Sequence, residues 1–117
     1  MTMRIVLYLF LIFFISSCKS DAELSIERGI YYYEWQKYNE AILEFNHAKY
    51  YQLAKKKKSY DDIKLLAQTY YNLAITYSKI GLFDEALQEA QHAYNLIPNK
   101  EYRELIHLIN KEAAPKS

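Results

Sequence analysis

By the placing of its apolar residues the chain divides into two unlike parts. From Ile5 to Ile15 all eleven residues are apolar. From Ser20 onward apolar residues recur at three- and four-residue spacings among Glu, Lys, Gln and Ala, the period of amphipathic helices. Local stop and start signals cut this second part into five predicted helices. Ser20 and Glu23 form an S-x-x-E start signal, and that helix runs to about Glu34. A second helix starts near Tyr38 and continues to about Lys56. Ser59 and Asp62 repeat the start signal in acidic form, opening a third helix to about Ile80. Gly81 is suited to close it in a left-handed conformation. A fourth runs from Phe83 to Leu96 before Pro98, and a fifth from about Lys100 to Glu112.

The stripes point to helices packed on one another. In the fourth helix Phe83, Ala86, Leu87, Ala90, Ala93 and Tyr94 share a face, and in the fifth Tyr102, Leu105, Ile106 and Ile109 do. Arg103, Glu104, His107, Asn110 and Lys111 make the other side of the fifth helix polar. A last helix with one polar side is what ends a helical stack, because no apolar surface is then left in water.

Composition narrows the alternatives. Two Gly and two Pro in 117 residues leave little room for turn-rich β structure. The net charge of +1 marks no acidic or basic bulk aimed at nucleic acid. The single Cys cannot form an internal disulfide, so its position carries the information. It is Cys18, directly after the apolar run and the small residues Ser16 and Ser17. Arg4, the run and the small residues have the layout of a secretory signal peptide. Eleven helical residues span about 16 Å, against about 30 Å of bilayer hydrocarbon, so the run is too short to cross a membrane. Being apolar all round, it also lacks the polar face of a surface helix of the fold.

Ile15-Ser16-Ser17-Cys18 resembles the bacterial lipobox, an aliphatic residue, two small residues and Cys. The resemblance implies a diacylglyceryl group on the Cys18 thiol and cleavage between Ser17 and Cys18. Two or three acyl chains would anchor stably where one would not. Loss of Arg4 leaves acidic and basic side chains equal in number, so lipid rather than charge would hold the chain on the membrane. Lys19 alone separates Cys18 from the capping Ser20, a link of about 10 Å. Lys19 is also not the Asp that retains some lipoproteins in the inner membrane. The implied location is the bacterial cell envelope, at the outer membrane of a diderm cell or otherwise the outer face of the plasma membrane.

An internal repeat runs through the helices. Tyr38-Asn39-Glu40-Ala41-Ile42-Leu43-Glu44-Phe45 is similar to Phe83-Asp84-Glu85-Ala86-Leu87-Gln88-Glu89-Ala90 at an offset of 45 residues. Tyr32 with Tyr77, His47 with His92 and Ala48 with Ala93 keep that offset. Repeats of this size indicate stacked helix pairs. The 34 residues from Ala67 to Lys100 resemble the tetratricopeptide repeat, through Tyr70, Leu73, Tyr77, Ala86, Ala93 and Pro98. Ala74 stands where the family has Gly, and Ala90 where it has Phe, so a neighbouring aromatic is expected to fill the space. An earlier, less complete repeat from Ala22 to about Lys55 keeps Gly29, Tyr32, Ala41, Phe45 and Ala48. It carries Ser25 and Arg28 where an aromatic and Leu are usual, tolerable in a first helix with no repeat before it. The eleven extra residues of the offset are expected to lengthen its second helix and the helix after it.

The expected fold is therefore all-α: a short α-α superhelix of two tetratricopeptide-repeat helix pairs plus a C-terminal capping helix, preceded by a cleaved signal peptide. Its parts are a signal peptide over 1–17, a lipidated tether over 18–20, and a helical domain over 21–113. That domain holds repeats near 22–55 and 67–100 and the capping helix near 100–112, and 114–117 form a tail.

No catalytic constellation is present: no phosphate loop, nucleophile elbow or H-E-x-x-H. The expectation is a non-enzyme with no cofactor and no metal, His47, His92 and His107 being solvated surface residues. The run Lys55 to Lys58 reads either as cations at a helix C-terminus, favoured by its dipole, or as a contact to anionic lipid headgroups. The family lines its inner groove with one face of the first helix of each repeat. Carried over, that face is Ile26, Ile30 and Tyr33 from the first repeat and Tyr71, Ile75 and Ser78 from the second, an apolar, aromatic groove suited to a peptide segment. The alternative reading is that the end helix or the long middle helices cover these residues. The implied function is a membrane-anchored scaffold or adaptor for a protein or peptide partner, with no nucleic acid and no small-molecule substrate. The alternative is a small structural envelope lipoprotein without a ligand groove.

Overall fold

The computed structural model describes residues 2–6 and 19–115. Residues 2–6 are helical, and five helices follow: α1 (Asp21–Glu34), α2 (Tyr38–Leu53), α3 (Tyr60–Lys79), α4 (Phe83–Leu96) and α5 (Lys100–Ala113). No strand occurs among the described residues. The sequence Ile15-Ser16-Ser17-Cys18 lies outside them.

Three helix starts rest on a side-chain oxygen that takes up a free first-turn amide. Ser20 Oγ accepts from the Glu23 amide at 3.2 Å, Ser59 Oγ from the Asp62 amide at 3.2 Å, and Asn99 Oδ1 from the Tyr102 amide at 2.8 Å. At α3 the box is reciprocal, because Asp62 Oδ2 accepts from the Ser59 amide at 2.9 Å. Helices α2 and α4 have no side-chain cap. Each is delivered instead by a tight reversal from the helix before it. The Gly81 amide donates to Ser78 O and the Leu82 amide to Tyr77 O, at 3.1 and 3.0 Å, with Gly81 at φ +79°. The first connection has the same two bonds, Gln36 to Tyr33 O at 2.9 Å and Lys37 to Tyr32 O at 2.8 Å, with Gln36 at φ 59°. Gln36 and Gly81 are 45 residues apart, so the repeat extends to the turn that closes each first helix.

The extra residues of the first unit do not all go into helix. α2 and α3 are 16 and 20 residues long against 14 for α1 and for α4. α2 stops at Leu53, three residues short of the predicted end, and Lys55 to Lys58 fall in the connection to α3. The lysines are therefore not the last turn of a helix. Lys55 Nζ pairs with Asp62 at 2.9 Å, and Lys58 Nζ donates to Lys55 O at 2.8 Å, so two of them hold the connection to the start of α3.

Each helix packs on its neighbours in sequence: α1 on α2, α2 on α3, α3 on α4 and α4 on α5. The result is two helical hairpins, α1–α2 and α3–α4, with α5 laid on the second. Small residues let the helices approach: Ala41, Ala48, Ala67, Ala74, Ala86, Ala90 and Ala93 are all fully buried. The first hairpin is filled by Phe45, which lies over Gly29 and packs with Ile26, Ala41, Ala48 and Leu73 of α3. At the equivalent places of the second hairpin stand Ala90 and Ala74. Ala90 shares a core cluster with Ala74, Ala86 and Ile109 of α5, and the aromatic rings of Tyr77 and Phe83 pack against that cluster.

Ser25 and Arg28 make a polar substitute for the apolar contact expected there. Ser25 is fully buried, Arg28 Nη2 donates to its Oγ at 3.1 Å, and Arg28 Nε pairs with Glu44 of α2 at 3.0 Å. Lys49 of α2 and Glu89 of α4, 3.6 Å apart and both largely covered, join the two hairpins. Burial outweighs that ion pair at Glu89 and pushes its carboxyl above the usual range.

Candidate binding face

The first helices of the two hairpins present Ile30 and Tyr33 of α1 toward Asn72, Ile75 and Thr76 of α3. With Phe45 these line an apolar cleft of about 290 Å³. Three of the six residues expected to line a groove, Ile30, Tyr33 and Ile75, thus meet in one place. The other three do not join them. Ile26 is 5% exposed and belongs to the core with Phe45 and Leu73, which corrects its assignment to the groove. Position 26 falls on the side of α1 that α2 and α3 close over. Tyr71 lies against Tyr102 of α5, ring centroids 5.3 Å apart, so the end helix covers that part of the face. Ser78 is half-buried near the end of α3, its hydroxyl without a hydrogen-bond partner.

Tyr71 and Tyr102 belong instead to a broader hollow of about 820 Å³ between the starts of α1, α3 and α5. Glu23, Asp61, Asp62 and Glu101 line it with Lys64, giving it an acidic wall. Burial, then the Glu101 charge, pushes both the Tyr71 and Tyr102 phenols above their ordinary value. Asn72 stands between the cleft and the hollow and lines both. Its side-chain Nδ2 is buried without a partner, while its backbone oxygen accepts from Thr76 Oγ1 at 2.7 Å. A buried donor left unpaired is costly, and an incoming carbonyl or carboxylate oxygen would relieve that cost while the apolar wall takes an aliphatic or aromatic side chain.

The parts that sequence reasoning missed are Phe45, Thr76 and the acidic wall. Phe45 reaches the cleft because α1 has only Gly29 beneath it, and the wall forms from three helix starts distant in sequence. A hint was present, since acidic residues favour first helical turns.

His47, His92 and His107 are exposed, and His92 stacks on Tyr70 with ring centroids 5.0 Å apart. Among the described residues no group of three His, Cys, Asp or Glu side chains could hold a metal ion. No helix among them is long and apolar enough to cross a membrane. Neither the protein-family models nor the curated proteins contain a match to this chain.

Proposed function

We propose that this chain is a bacterial lipoprotein, anchored through lipid on Cys18, whose paired helices act as a tetratricopeptide-like scaffold for a protein or peptide partner in the cell envelope. The observation that carries the reading is the cleft of Ile30, Tyr33, Phe45 and Ile75 with the unpaired Asn72 amide at its edge. Apolar walls beside a lone donor suit a short peptide segment: the walls take a side chain and the amide takes a main-chain oxygen. The equivalence of the two hairpins at an offset of 45 residues, down to the reversals at Gln36 and Gly81, supports the likeness to stacked repeats. The anchor rests on the residues from Ile5 to Cys18 and their resemblance to a lipoprotein signal.

Two experiments test the parts separately. A photo-crosslinking amino acid at Tyr33 in the native host is expected to capture a partner that the same group at Leu43, exposed on α2, does not. Identical products from both positions would leave the cleft without a role, as would retention of every Tyr33 product after Ile75→Ser. For the anchor, labelled fatty acid is expected in the wild-type protein. Equal incorporation by Cys18→Ala would remove it.

A further inference from the structure

The two ends of the helical stack differ. A stack normally ends in polar faces, because nothing further packs there. The outer side of α5 follows that rule with Arg103, Glu104, His107 and Lys111, all exposed, and departs from it at one residue, Leu108, 54% exposed. The outer side of α1 does not follow it. Leu24, Tyr31 and Trp35 are 39%, 58% and 66% exposed, and at 100° per residue they fall within one narrow stripe, opposite the buried Ala22, Ile26 and Gly29. Tyr31 and Trp35 rings lie 6.2 Å apart, forming one continuous aromatic surface.

We infer that this stripe of α1 docks on a lipid bilayer, so that the first helix lies along the membrane surface. The inference rests on the lipid anchor proposed above. Three observations select lipid over other occupants. The first is proximity: Ser20, which caps α1, is two residues from Cys18, so α1 is the helix nearest the anchor. The second is chemistry. Trp and Tyr, with an apolar body and one polar group, are the side chains favoured at the level of lipid headgroups. Two carboxylates beside the stripe are paired, Glu27 with Lys19 and Glu44 with Arg28, and so are compensated against an anionic surface, while Asp21 and Glu34 stand exposed at its flanks. The third is area. Covering the exposed parts of three side chains removes on the order of 400 Å² per copy, against about 800 Å² per partner in a stable protein interface. That is too little to hold a dimer, but enough to orient a domain that lipid already holds.

Trp35 is the single tryptophan of the chain, so its emission reports on the stripe alone. The test uses the full-length protein, processed in cells and reconstituted into vesicles of zwitterionic and anionic phospholipid. Flotation and labelled fatty acid report the anchor, while Trp35 reports the docking. The expected result is blue-shifted emission, iodide quenching several-fold weaker than for free tryptophan amide, and strong quenching by lipids brominated along the acyl chain. Leu24→Ser with Tyr31→Ser should still float but lose the shift and the shielding. Both positions are exposed, and an unchanged circular dichroism melt would confirm that the fold is intact. Protein that floats while iodide reaches Trp35 freely would overturn the docking and leave the anchor standing. Shielding from iodide without quenching by brominated lipid would also overturn it, in favour of a second copy over the stripe. Protein that neither floats nor carries fatty acid would remove the anchor and the inference together.

Discussion

The ring of Phe45 lies so close over Gly29 that a Cβ on residue 29 would stand 2.6 Å from ring atom Cδ1. The equivalent pair of the second hairpin is Ala90 over Ala74, both fully buried. The two hairpins thus close by different exchanges of volume: a glycine under a phenylalanine in one, an alanine under an alanine in the other. Gly29→Ala is expected to destabilise by about 1–2 kcal/mol. Alanine gains about 1 kcal/mol in helix propensity, but displacing a buried ring costs more. In a Phe45→Ala background, which itself costs about 3–5 kcal/mol, the same change should turn neutral or stabilising. Urea unfolding of the four-variant cycle measures the coupling. Additive losses would mean that the cost of Gly29→Ala does not come from the Phe45 ring.

The reversals at Gln36 and Gly81 carry a second prediction. Both residues are left-handed, at φ 59° and φ 79°, and only one is a glycine. Gln36→Gly should stabilise by about 1 kcal/mol, because a side chain in that conformation is strained by roughly that amount. Gly81→Ala should destabilise by a similar amount through the backbone alone, since a Cβ there meets nothing within 4 Å. Thermal melts of the two variants should move in opposite directions.

Acid should loosen the start of α3. Lys55, then the Ser59 amide and hydroxyl, lower the Asp62 carboxyl from 3.8 to about 2. A carboxyl whose value falls on folding adds stability above its unfolded value, and that stability is lost as pH falls through the folded one. The contribution of Asp62 is therefore complete above about pH 4 and gone near pH 2. Asp62→Asn should be less stable than wild type at neutral pH, and the two should converge between pH 4 and pH 2. A constant gap across that range would mean that the charge of Asp62 contributes nothing.

Much of the fold was legible because its signals are local. Ser20, Ser59 and Asn99 hold first-turn amides a few residues away, so helix starts follow from short stretches of sequence. Gly81 announced its turn, whereas glutamine has no particular preference for φ above zero, and Gln36 could be read only through its equivalence to Gly81. The end of α2 was read too late because Lys55 to Lys58 suit a helix. Their bonds to Asp62 and to Lys55 O, made across the connection, decide against it.

The candidate site was legible only in part. Sequence alone determined that five amphipathic helices form, which face of each is apolar, and that two units repeat at 45 residues, because periodicity and capping act within a few residues of chain. Tertiary structure decided which apolar residues stay accessible. Ile26 and Ile30 are one helical turn apart on α1, yet one is 5% exposed and the other 38%. The difference comes from how α2 and α3 lie across α1. In the same way Tyr71 was covered by Tyr102, Phe45 reached the cleft over Gly29, and Leu24, Tyr31 and Trp35 were left facing outward. Burial depends on how helices cross, and crossing depends on volumes such as Phe45 over Gly29 that meet only when distant segments pack.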